Sequence, residues 1–334
     1  MVTTMTLNSN LRLRPRTSSI FQRHMFCSLR LPGNLRILIA ERPGLWMSDA
    51  DLEDWARPCR EIAQASLDGE ELSYGVFQGS GPFWSEAIIT LIEDRTTGQA
   101  LAFNVMRLLP VQLGGREEDV LHLGLTMVAP AARGKSMTSS LYILTCVLFY
   151  FRRQCRPFWV SSVSQVPAAV GLVGETFVDV FPGLDRDALP PPRHLGLATQ
   201  VMASHRSAFG VSEDAPFRTD RFIIEDAYRG GSDHLKKSQD QAPLHRVKAY
   251  NDLCFEELDY ARGDDFLQIG RANAEAARRI LRRRLEGLTG VGFSLQLGSL
   301  FLSSLVAPLA QWLNPSRSQG DLRARESRRA GKSN

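Results

Sequence analysis

The chain has 334 residues, 43% of them apolar, and a formal charge of +4, which is enough for one large domain or two with a real core. Cys27, Cys59, Cys146, Cys155 and Cys254 are scattered and no pair has metal-ligand spacing, which excludes a disulfide framework and a zinc site and favours a reducing, cytoplasmic compartment. The charge is segregated: residues 1–40 hold six Arg and no acid, residues 315–334 hold six basic and two acidic residues, and the stretch between holds 28 basic against 34 acidic ones.

Basic ends suit an anionic membrane surface, nucleic acid or a plain solubilising tail, with nucleic acid the weakest of the three. Residues 1–34 lack the continuous apolar run of a secretory signal. They read as a basic, disordered segment, either a simple tail or an organellar transit segment.

The first strand is expected at residues 35–40. Residues 49–66 have helical spacing, with Ser48 as N-cap and Leu52, Trp55, Cys59 and Ile62 on one face. Residues 86–93 and 100–108 read as an antiparallel hairpin, and 120–128 as the next strand. A helix at 138–153, a strand at 157–166, helices at 168–180 and 195–209 and a strand at 221–225 complete the series.

Between the strand at 120–128 and the helix after it lies Pro130, then Ala131, Ala132, Arg133, Gly134, Lys135 and Ser136. A strand, a short basic loop and a helix can hold a phosphate. The first N–H groups of a helix lack internal partners, and its dipole adds positive potential there. Gly134 permits a positive φ, and Arg133 and Lys135 add full charges. An ordinary strand-to-helix connection has the same pattern.

This loop resembles the acyl-CoA-binding motif of the GNAT (N-acetyltransferase-like) acyltransferase superfamily. Arg133, Gly134 and Lys135 match it; Ala131 stands where Gln or Arg is usual, and Ser136 where Gly or Ala is. The order strand, helix, three strands, helix, strand, helix, strand is similar to the family's order over residues 35–226. The resemblance implies an α+β, three-layer fold: a mixed, mostly antiparallel sheet flanked by helices. It implies an acetyl-CoA or longer acyl-CoA donor, no metal, and an amine acceptor, small or lipid-like, that attacks the thioester directly. The donor's pantetheine would pair with Leu125, Met127 and Val128, and its pyrophosphate with Arg133, Gly134, Lys135, Ser136 and Met137.

The acid and base are less legible. Val173 stands where many members of that family carry a Tyr. The nearest alternatives are Asp119 and His122 around the strand before the loop, with Ser164 on the following strand; an unperturbed His122 titrates near neutral pH. No Gly-x-Ser-x-Gly elbow, His-Glu-x-x-His or Walker loop competes. A GNAT-fold protein that binds acyl-CoA or a partner without catalysis is the rival reading.

Beyond residue 226 the chain reads as a mostly helical extension over 227–285, which begins with a Gly-rich basic stretch at 228–238. Residues 287–313 carry no charge and are flanked by Arg residues. They are long enough to span a bilayer, to lie on a membrane surface, or to pack on the protein itself or on a second copy. Residues 315–334 read as a disordered basic tail.

Overall fold

A computed structural model describes residues 24–66, 77, 82–134, 137–229, 236–284, 295, 298–299 and 301–302. They form a mixed α+β structure whose strands are mostly antiparallel, divided into two compact units. One unit holds the described residues up to 105, then 125–154 and those from 284; the other holds 106–124 and 155–283.

In the first unit, β1 (Phe26–Leu31), β2 (Leu35–Glu41), β3 (Ala87–Asp94), the first half of β4 (Ala100–Leu113) and β6 (Thr126–Val128) lie side by side in that order. Helix α1 (Asp49–Ser66) starts as its sequence predicts. Ser48 Oγ accepts from Asp51 N at 3.2 Å, and the Asp51 carboxylate returns to Ser48 Oγ at 2.9 Å. Its buried Leu52, Trp55, Cys59 and Ile62 pack with Leu38, Ile89, Leu91, Phe103 and Val105. A short α2 (Pro82–Glu86) leads into β3. Helix α3 (Met137–Arg152) covers the opposite face, where Thr145 Oγ1 meets Thr90 Oγ1 at 2.7 Å and Asn104 Oδ1 at 3.4 Å.

In the second unit the latter half of β4 pairs with β5 (Arg116–His122) through a two-residue turn. Gly114 and Gly115 both have positive φ there, 60° and 76°, which matches the twist of a tight hairpin. The order continues with β7 (Phe158–Ser164), β11 (Asp265–Ala272), β10 (Ile223–Ile224) and β9 (Phe217–Arg218), while β8 (Val178–Phe181) also pairs with β11. Among the described residues only β5 and β7 pair in parallel, over three residue pairs from Val120–Trp159 to His122–Ser161. Helix α5 (Pro192–Ser204) packs on one face. Helices α4 (Pro167–Thr176) and α6 (Lys248–Glu257) cover the other.

Several sequence expectations are corrected. Residues 26–31, assigned to a disordered N-terminus, form β1, because its apolar residues find a full register against β2. The expected helix at 168–180 stops at Thr176, and Val178–Phe181 is strand β8. The extension at 227–285 is not mostly helical. Between α6 and α7 (Ala274–Arg284) it supplies β11, which pairs with β7 over seven residue pairs. The domain boundary at 226 therefore fails, since β11 is a buried member of the second unit's sheet. The strand expected at 120–128 is two, β5 and β6, and the pairing with β4 shifts by one residue between them.

Candidate functional site

The strand, loop and helix singled out in the sequence form one piece of the first unit. β6 pairs only with β4 among the described residues. Val105 N donates to Leu125 O and Ala129 N to Leu101 O, so in antiparallel alternation Thr126 and Val128 turn their N–H and C=O groups to the other edge. The Ser66 hydroxyl reaches Val128 O there at 3.4 Å. Leu125 and Met127 put their side chains into the core under α1.

After β6, Pro130–Ala132 makes a single 3-10 turn, and Arg133 stands exposed. Gly134 has φ +81°, a value L side chains rarely adopt, and nothing lies within 4 Å of where a Cβ would be. The glycine is required by its backbone angle and not by crowding. Lys135 and Ser136 lie outside the described residues. Met137 opens α3 with its side chain buried, so only its backbone is available at the helix start.

Tyr142, one turn further on, was not singled out by sequence. Burial is the main cause that pushes its phenol pKa up, against a lowering from Thr126. Thr126 Oγ1 lies against it without meeting ordinary hydrogen-bond geometry.

The three acid–base candidates belong to the second unit, and the structure does not bring them together. His122 and Ser161 share one face, where His122 Nδ1 lies 3.1 Å from Ser161 Oγ and the imidazole lies tilted against the Phe209 ring, centroids 4.8 Å apart. Asp119 and Ser164, at the opposite parity of their strands, face the other side. Burial, with smaller contributions from Arg107 and His205, pushes His122 down to about 3. The ring is therefore neutral at physiological pH, not titrating near neutrality as an exposed imidazole would. Ser164 Oγ accepts from Val166 N at 3.0 Å and so serves the turn into α4. Val173 is buried in α4.

Sequence reasoning missed a second polar group in this unit. Asp265, Gln165, Tyr228 and Tyr260 gather at the end of β7, all buried. Tyr260 Oη donates to Gln165 O at 2.5 Å, across 95 residues of chain, and the Gln165 amide lies 3.2 Å from Tyr228 Oη. Burial raises Asp265 to about 7, with Tyr228 lowering and Asp264 raising it slightly. No local pattern signals this cluster, because its members come from three distant segments.

Among the described residues no group of three His, Cys, Asp or Glu side chains is placed to hold a metal ion. No model of a known protein family matches the chain, and no curated protein matches it.

Proposed function

We propose that this chain is an acyltransferase of the GNAT type, moving an acyl group from acyl-CoA to an amine. The observation that carries the reading is the one-sided pairing of β6, directly followed by the Gly134 turn and the start of α3. The edge at Thr126 and Val128, which no described strand pairs and where Ser66 reaches only Val128 O, has the donors and acceptors that a pantetheine arm, with its two amides, can pair with. Arg133 and the first N–H groups of α3 suit a pyrophosphate. The attacking amine forms a bond to the thioester carbonyl carbon, the C–S bond breaks, and the thiolate leaves while the amine gives up a proton.

The test is calorimetric binding of CoA and of acetyl- to palmitoyl-CoA, followed by thiol release with a panel of amines. Binding with acceptor-dependent thiol release supports the proposal; no binding at saturating CoA removes it. The neutral, buried His122 and the Val173 position favour a second reading, a protein of the same fold that binds acyl-CoA without turnover. Binding with no thiol release would select it.

A cytoplasmic location with membrane contact through residues 287–313 belongs to the same proposal. No helix among the described residues is long and apolar enough to cross a membrane. Most of that segment lies outside the described residues; Leu295, Phe301 and Leu302 are exposed, and the Phe301 ring sits 5.5 Å from Phe151 of α3. Co-sedimentation with phosphatidylserine vesicles, lost on removing residues 287–334, tests it, and a full-length protein that stays in the supernatant overturns it.

A further inference from the structure

In the second unit, side chains of α5 take the place of a strand along one edge of β4. β5 occupies the other edge. The turn at Gly114 and Gly115 makes Leu113 and Arg116 the pair that closes the hairpin, so Val111–Glu118 and Leu109–Val120 are the next hydrogen-bonded pairs. Pro110 and Gln112 alternate with these, and their backbone groups point away from β5.

Those outward groups are met by α5 and the residue that ends it. Gln200 Oε1 accepts from Gln112 N at 2.7 Å, and Gln200 Nε2 donates to Gln112 O at 2.8 Å. The second hydrogen of that nitrogen goes to Gly196 O, one turn back in α5, at 3.1 Å. The amide thus makes the two bonds that a residue of an antiparallel neighbour would make. His205 Nε2 lies 2.9 Å from Pro110 O, an acceptor, so that nitrogen carries the hydrogen. Pro110 itself has no N–H to offer. α5 is held without these bonds, through Leu197, Ala198, Val201 and Met202 in the core.

An open strand edge pairs with other chains, and Pro on the edge or a covering helix prevents it. Pro110 and Gln112 are exposed, so a second chain can reach this edge. The strand that fits it without loss is β4 of a second copy. Laid antiparallel about a twofold axis at Gln112, the two copies exchange the Gln112 N–H and C=O bonds that Gln200 now makes. Moving the axis to Val111 sets Gln112 against Pro110 and forfeits one bond in each such pair. We propose that Gln200, with Pro110 and His205, is a guard that keeps the β4 edges of two copies apart, and that removing it turns this edge into a self-association surface.

The experiment uses the full chain and its Gln200→Ala variant, with hydrogen exchange at the Gln112 amide and sedimentation velocity over a range of protein concentration. In wild type the Gln112 amide should exchange slowly at every concentration. In dilute Gln200→Ala it should exchange about tenfold faster, as loss of its hydrogen bond requires. As that variant is concentrated, its sedimentation should shift toward a dimer and the Gln112 amide should slow again. Amides of β7 and β11 that stay slow report an intact fold. If Gln200→Ala loosens them, Gln200→Met, which keeps the stem of the side chain and loses the amide, carries the same expectation. A Gln112 amide that stays fast at every concentration overturns the proposal, whether or not the variant associates through some other surface. So does a Gln112 amide that stays slow in the dilute variant.

Discussion

Arg152, at the end of α3, and Glu41, at the end of β2, form an ion pair buried on both sides, with Nε 3.0 Å from Oε2 across 111 residues of chain. Glu41 Oε2 also takes the Met25 N–H at 3.4 Å, so the carboxylate ties the helix to the strand hairpin of β1 and β2. Burying two charges is costly, and removing one partner strands the other. Arg152→Met should therefore cost about 3–5 kcal/mol in urea unfolding. Adding Glu41→Gln should restore most of it. A single-variant loss no larger than that of an exposed pair would show that water reaches Glu41.

Helix α4 lies close to α6 and to His245 just before it because α4 has glycines at both contacts. A Cβ on Gly171 would lie 2.5 Å from His245 Cγ, and one on Gly174 2.6 Å from Tyr250 Oη. Gly171→Ala should destabilise by about 1–3 kcal/mol through overpacking. Gly196, inside α5, has nothing within 4 Å of a Cβ, so Gly196→Ala should stabilise by about 0.5–1 kcal/mol. Thermal unfolding that shifts the same way for both variants would contradict this account.

Gly134→Ala separates backbone angle from space. With φ at +81° and an open surrounding, the methyl clashes with nothing but its own backbone. The strain is about 1–2 kcal/mol, or is relieved by a local change of loop path. Calorimetry should show weaker CoA binding, with a loss of global stability no larger than about 1–2 kcal/mol. Unaltered affinity would remove the turn from the proposed donor site.

Two buried groups give opposing pH dependences. Asp265 has its pKa raised to about 7, so its contribution is fully present below the ordinary carboxyl range and lost as pH rises through about 7. A rise of that size corresponds to about 4 kcal/mol. His122 is lowered to about 3, so its contribution is present above the ordinary imidazole value and lost as pH falls toward 3. Between about pH 4 and 6.5 the two largely cancel. Asp265→Asn should remove the alkaline decline and steepen the acid loss; His122→Asn should do the reverse. Denaturant midpoints measured across pH decide it, and parallel curves for wild type and Asp265→Asn would refute the assignment.

Local features were legible in the sequence. The helical face of Leu52, Trp55, Cys59 and Ile62, the Ser48 cap, and the strand–turn–helix around Gly134 appear where periodicity and turn chemistry put them. Each depends on residues within a few positions of one another. His122 was legible as a residue and not as a chemistry: its type marks a titratable ring, while Phe209, Ser161 and burial determine its protonation.

The sequence by itself determined most of the elements and the Gly134 turn that leads into α3, because spacing and backbone preference act locally. Only the tertiary structure decided that residues 26–31 complete a sheet, that β11 joins β7 from a segment read as helical, and that Tyr228 and Tyr260 meet Gln165. Strand partners and buried charges are chosen by contacts between segments far apart in the chain. No window along the sequence contains both halves of such a contact.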